Sequence, residues 1–91
     1  MSSERRTDKR GALEICADML LALDGRIECN RATLATESKL DSRALSKYLG
    51  VLQAHELVEV TPGNRRVRIR ISAKGKAFLE HYGRIASMLS Q

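Results

Sequence analysis

Six basic residues and no acidic one lie between Thr61 and Lys76: Arg65, Arg66, Arg68, Arg70, Lys74 and Lys76. Within this stretch, RRVRIRIS alternates Arg66, Arg68 and Arg70 with Val67, Ile69 and Ile71. A period of two is that of a strand, whose successive side chains point to opposite faces. The pattern predicts three aliphatics on a core and three arginines on an outer face. Arginines so placed repel one another, and folding gains nothing from the arrangement. A phosphate backbone would relieve the repulsion, so the chemistry these residues suit is the binding of a polyanion. A basic face can also serve only to protect a sheet edge from aggregation, but mixtures of Lys and Glu ordinarily do that.

A second set of residues lies upstream. Leu45, Leu49 and Leu52, with Tyr48 beside them, form a stripe at helical spacing. They predict a helix capped by Asp41 (or Ser42) and running to about Ala54. Its opposite face carries Ser42, Arg43, Ser46, Lys47 and Gly50, all short or basic. Such a face suits the major groove of double-stranded DNA. Arg43 can bond bidentately to guanine, and Ser42 or Ser46 can reach a base or a phosphate. Taken alone, the same face is equally an ordinary solvent-facing helix side; the neighbouring basic hairpin tips the reading toward nucleic acid. In or just after the preceding helix, Arg31 and Lys39 are candidate phosphate contacts.

Other chemistries find little support. There is no glycine-rich phosphate loop, nucleophile elbow or closely spaced ligand pair, so neither an enzyme nor a cofactor is expected. Cys16, Cys29, His55 and His81 are scattered singly, which argues against a metal site. Two cysteines thirteen residues apart do not suggest a disulfide framework. No pocket for a small-molecule ligand can be read. No apolar run approaches the roughly 20 residues of a membrane span, and MSSERRTDKR lacks the apolar stretch of a signal peptide. The expected location is the cytoplasm, in association with the nucleoid, with no membrane contact.

These candidates need elements to hold them. A chain of 91 residues is enough for one domain, with a net charge of +5 that favours a polyanionic partner. Residues 1–8 read as a disordered basic arm. A first helix is expected over residues 9–23, with Leu13, Cys16, Ala17, Leu20 and Leu23 on one stripe and Ile15 and Met19 on a second. Asp24-Gly25 ends it. Arg26-Ile27-Glu28 reads as a short edge strand, and Asn30 as the cap of a helix from Arg31 to about Ser38. Leu57-Val58-Glu59-Val60 reads as a strand, followed by a loop at Thr61-Pro62-Gly63-Asn64 that is longer than a two-residue hairpin turn. Ser72 caps a last helix, Ala73 to about Leu89. The order is helix, short strand, two helices, two strands, helix: an α+β fold with a three-helix core and a two- to three-stranded wing sheet. The expected organisation is an arm at 1–8, a DNA-binding unit at 9–72 and a C-terminal helix at 73–91.

In that last helix Phe78, Tyr82, Ile85 and Leu89 follow a four-three-four spacing, the beginning of a heptad seam. Tyr82, Ile85, Met88 and Leu89 extend past the reach of a small core. Since a domain of this size buries only about 60–65% of its unfolded surface, a second copy packed on the stripe is the expected partner.

The stretches LDSRALSKYLGVLQAHELVEV (40–60) and ISAKGKAFLEHY (71–82) resemble the winged helix-turn-helix superfamily. They look most like the small archaeal regulators and ten-kilodalton DNA-binding proteins. Lys47-Tyr48-Leu49 within a capped helix and the entry Ser72-Ala73-Lys74-Gly75 into the last helix carry the likeness. It covers about residues 10–90. It implies DNA binding by the helix at 42–54 and a wing at 61–71, and a homodimer made by an antiparallel coiled coil of C-terminal helices. Where the family commonly has Gly before the strand, this chain has Glu56, and its last helix is short. A transcriptional regulator is the leading reading. A chromatin-type architectural protein with little sequence preference and a winged-helix protein-interaction module are the alternatives.

Overall fold

The computed structural model describes residues 10–90. The arm expected over residues 1–8 lies outside the described residues. In chain order the elements are α1 (Ala12–Leu23), α2 (Arg31–Ser38), α3 (Ser42–Ala54), β1 (Val58–Thr61), β2 (Arg68–Ile71) and α4 (Ala73–Leu89).

The first helix begins three residues later than its pattern suggests, at a Gly11 cap that offers no side-chain hydrogen bond. Its buried face comprises Ile15, Cys16, Ala17, Met19, Leu20 and Leu23. Leu13, expected on the core stripe, is 58% exposed. It points the same way as Ala17 and Leu20, which are buried, but in the first turn of α1 it borders an open groove and so rims the core without entering it. Burial pushes the Cys16 and Cys29 thiols above their ordinary range.

The second and third helices start where their caps dictate. The Asn30 side chain accepts from the Thr33 amide at 2.9 Å, and the Asp41 side chain from Ala44 at 2.8 Å. Leu34, Leu45, Leu49 and Leu52 join the core formed by α1. Arg26-Ile27-Glu28 is not a strand: Ile27 is 83% exposed. With Asn30 already capping α2, no length is left for a ladder. The third sheet member shrinks to one bridge, in which Cys29 and Ile69 exchange amide-to-carbonyl bonds of 2.9 and 2.7 Å.

At the end of α3, Leu57 donates its amide to the Leu52 carbonyl at 2.9 Å and Glu56 to Gln53 at 3.0 Å. This paired closure needs a left-handed residue, and Glu56 supplies it at φ 62°. The first strand consequently starts one residue later than expected, at Val58. It pairs antiparallel with β2, Val58 facing Ile71, Glu59 facing Arg70, Val60 facing Ile69 and Thr61 facing Arg68. Residues 62–67 form the expected long connection. Arg66 falls within it, so the outer strand face carries Arg68 and Arg70 and not three arginines.

Ser72 caps α4. Its hydroxyl accepts from the Gly75 amide at 3.0 Å and donates to the Glu56 carbonyl at 2.7 Å, while its own amide donates to Leu57 at 3.0 Å. A Cβ added at Gly75 would stand 2.2 Å from the Leu57 carbonyl oxygen and 2.7 Å from Ile71. Only glycine allows this approach of helix to hairpin. The proximal half of α4 packs against α1, with Phe78, Leu79 and Tyr82 half-buried and the Phe78 and Tyr82 rings stacked at 6.3 Å. Beyond them Ile85, Met88 and Leu89 are 55%, 71% and 81% exposed.

Two substitutions test this scaffold by urea denaturation. Gly75→Ala should cost about 1–3 kcal/mol by overpacking a backbone contact. Glu56→Gly should gain about 1 kcal/mol by relieving a left-handed residue. A Gly75→Ala protein as stable as its parent would contradict the packing described.

Candidate nucleic-acid interface

The exposed side of α3 presents Ser42, Arg43, Ser46 and Lys47 to solvent. They stay outward because Leu45, Leu49 and Leu52 anchor the opposite face. Arg43 has no ion pair among the described residues. The Lys47 ammonium lies 5.2 Å from the centre of its neighbour Tyr48's ring. Arg31, half-buried at the start of α2, donates a hydrogen bond to the Ser46 hydroxyl. That bond ties α2 to α3 and occupies one of the candidate base-reading hydroxyls. Lys39 ends α2 in the left-handed conformation at φ 60°, with its side chain exposed.

The wing is less uniformly charged than its sequence suggests. Arg70 pairs with Glu59 across the ladder at 3.0 Å, and Arg68 with Glu28 at 3.4 Å. Lys74 lies 3.7 Å from the Glu56 carboxylate. The carboxylates come from other parts of the chain, so the acid-free run from 61 to 76 is not acid-free in space. Arg65 and Arg66, at the tip, have no ion pair among the described residues. Together with Arg26, Asn30, Thr33 and Arg68 they line an open cleft of about 470 Å³ between the wing and the start of α2. Sequence reading missed Arg26 as part of this surface, and its ion pair with Glu37. No local signal marks Arg26, because only the Cys29–Ile69 bridge brings its segment beside the wing.

A tight contact shapes the wing tip. A Cβ at Gly63 would meet the Arg66 carbonyl oxygen at 2.3 Å and the Arg68 side chain at 3.3 Å. The connection therefore folds back on itself and holds Arg65 and Arg66 outward. Among the described residues, no group of three or more His, Cys, Asp or Glu could hold a metal ion, and no helix is long and apolar enough to cross a membrane.

Three helices, a basic hairpin after the third and a helix returning onto the first make up the described fold. A family model for the winged helix-turn-helix matches residues 9–90. The chain belongs to the winged helix-turn-helix family. It is also similar to solved structures. One is Sso10a-2, a DNA-binding protein from Sulfolobus solfataricus, with a TM-score of 0.80 at 22% identity over 89% of this chain and 83% of that one. A second is BpsR of Bordetella bronchiseptica, whose DNA binding is regulated by 6-hydroxynicotinic acid, with a TM-score of 0.76 at 21% identity over 85% and 57%. A third is a probable transcriptional regulator from Pseudomonas aeruginosa, with a TM-score of 0.75 at 19% identity over 84% and 59%. This chain thus spans most of the archaeal protein and little more than half of the two bacterial ones. No curated protein matches it by sequence.

The wing-tip geometry has a local test. Gly63→Ala should shift the amide resonances of residues 61–68 and leave those of α1 and α3 in place. A uniform spectrum across the hairpin would show that the tip tolerates the added methyl and that the fold-back is not enforced.

Proposed function

We propose that this winged helix-turn-helix protein binds double-stranded DNA as a transcriptional regulator and is not an enzyme. In this reading α3 enters the major groove and the wing lies along the adjoining backbone or minor groove. Ser42, Arg43, Ser46 and Lys47 face the groove, with Arg31, Arg65, Arg66, Arg68 and Arg70 toward phosphates. The observation that carries it is the coincidence of two surfaces. The outward side of α3 over residues 42–50 holds only short or basic residues, and the wing tip carries two arginines without ion pairs among the described residues. The family's fold, shared with Sso10a-2, supports the reading. The working unit is a homodimer through Tyr82, Ile85, Met88 and Leu89. Its two recognition helices would reach successive major grooves, about 34 Å apart. Work on DNA would place the protein in the cytoplasm, at the nucleoid.

The ion pairs rank the arginines. Exposed pairs are worth about 0–1 kcal/mol, so Arg68 and Arg70 can exchange a carboxylate for a phosphate at small cost, while Arg65 and Arg66 have no pair among the described residues to give up. The bond from Arg31 to Ser46 favours, as a second reading, an architectural protein with less base recognition.

A titration of duplex DNA at several salt concentrations tests the proposal. If each subunit engages four to six phosphates, a dimer should show a slope of log affinity against log salt of roughly −7 to −11. A slope near zero, or no binding at low salt, would overturn DNA binding. Arg66→Ala should weaken binding to all duplexes alike, whereas Arg43→Ala should cost about 1–3 kcal/mol on a preferred site and less on random DNA. Equal losses on both would select the architectural reading. Glu59→Gln, by freeing Arg70, should raise affinity. The pair Ile85→Glu with Leu89→Glu should give a folded monomer that binds DNA more weakly.

A further inference from the structure

On the side of α4 away from the wing cleft, an apolar groove of about 440 Å³ opens between α1, α3 and α4. Leu13 and Cys16 line it from α1, Val51 and His55 from α3, and Lys74 and Phe78 from α4. Leu13 and Val51 are large apolar residues left exposed beside it. Groove and helix stripe are continuous: Ile85 follows Phe78 by two turns, and Met88 and Leu89 follow Ile85 by three and four residues. One exposed apolar strip thus runs from the floor of the domain to the end of α4.

Resting on the homodimer reading above, we propose that this groove receives the end of the partner's α4, so that Ile85, Met88 and Leu89 of each copy dock onto the other copy's core. The contact is then helix into domain and not only helix along helix. Helix length supports the match. Two antiparallel copies of a helix spanning residues 73–89, in full overlap, set position 85 opposite 77 and position 89 opposite 73. The terminal apolar residues therefore arrive at the turn that carries Lys74 and Phe78. Charge supports the same orientation. The first turn of α4 holds Lys74 and Lys76 against the positive end of its own dipole, and its last turn has no basic residue to meet the carbonyls there. Antiparallel pairing corrects both ends, because the partner's last carbonyls meet Lys74. Residues 1–9 are a poor filling for the groove, since Met1 is their only large apolar side chain.

Two measurements on the full chain test this. Val51 lies on α3 and is not part of the α4 stripe, so Val51→Glu should leave a pure helix-along-helix dimer intact. If the groove is occupied as proposed, the substitution should raise the dimer dissociation constant by roughly 100-fold or more in sedimentation equilibrium, with the helical circular dichroism spectrum retained. Independently of how that variant folds, mixing Leu13→Cys protein with Leu89→Cys protein under oxidation should yield a disulfide-linked mixed dimer. Leu13→Cys alone should give none. Loss of the dimer in the first experiment or the mixed disulfide in the second supports the docking. A wild-type dimer that survives Val51→Glu and gives no mixed disulfide overturns it, with the groove then left to residues 1–9 or a small apolar molecule, while the homodimer itself stands. A wild type that sediments as a monomer at tens of micromolar overturns the docking and the dimer together, without touching the DNA reading.

Discussion

The Leu57 carbonyl oxygen accepts the Ser72 amide and lies where a Cβ of residue 75 would otherwise be. Three elements meet at that point: the closure of α3, the base of the hairpin and the first turn of α4. The Ser72 hydroxyl bonds to Glu56 and to Gly75, so the helix cap and the loop closure share one side chain. From this junction the wing projects in a direction set by backbone hydrogen bonds. At the opposite edge the Cys29–Ile69 bridge holds the same hairpin to the start of α2. None of these contacts uses a wing arginine. The arginines stand outside this junction, and Arg68 and Arg70 hold only exposed ion pairs with Glu28 and Glu59.

The electrostatics divide accordingly. Carboxylates from Glu28, Glu59 and Glu56 restrain Arg68, Arg70 and Lys74 along the body of the wing. The tip and the outward side of α3 carry cations without such partners among the described residues. A long-range attraction that is strongest at the tip, with weaker and exchangeable charges behind it, suits docking onto a polyanion from the tip inward. The exposed end of α4 belongs to a different physical problem. It is apolar and exposed, and in the homodimer proposed above a partner copy would cover it.

Much of this was readable from residues. Asn30, Asp41 and Ser72 announced their helices because a capping side chain acts on amides two or three positions away, a purely local event. Alternation in 67–71 marked the second strand for the same reason. The outward set on α3 followed from Leu45, Leu49 and Leu52. What escaped were outcomes of tertiary packing. Leu13 lay on the stripe of Ala17 and Leu20, but whether the first turn of α1 is covered depends on which neighbours reach it, and there an open groove remains. Ile27 looked like strand, yet the sheet edge was offered only at Ile69, two residues beyond it on the chain as Cys29. Arg66 fitted the alternation but fell into the loop, because the register of the hairpin starts at Thr61 facing Arg68. The partner of Arg70, Glu59, was invisible because opposition across a ladder cannot be read until its register is known, and that of Arg68, Glu28, because it sits beside the wing only through the Cys29–Ile69 bridge. Glu56 was conspicuous where a glycine is usual, and the positive φ there gives the reason.

The central claim is that α3 and the wing tip form one DNA-binding surface. Titration of isotope-labelled protein with a short duplex, followed by amide and arginine side-chain resonances, tests it most directly. The account predicts shifts concentrated at residues 42–50 and 62–68, including the Arg43, Arg65 and Arg66 side chains, with the α1 core unmoved. Shifts confined to α4, or a spectrum indifferent to DNA at low salt, would contradict it.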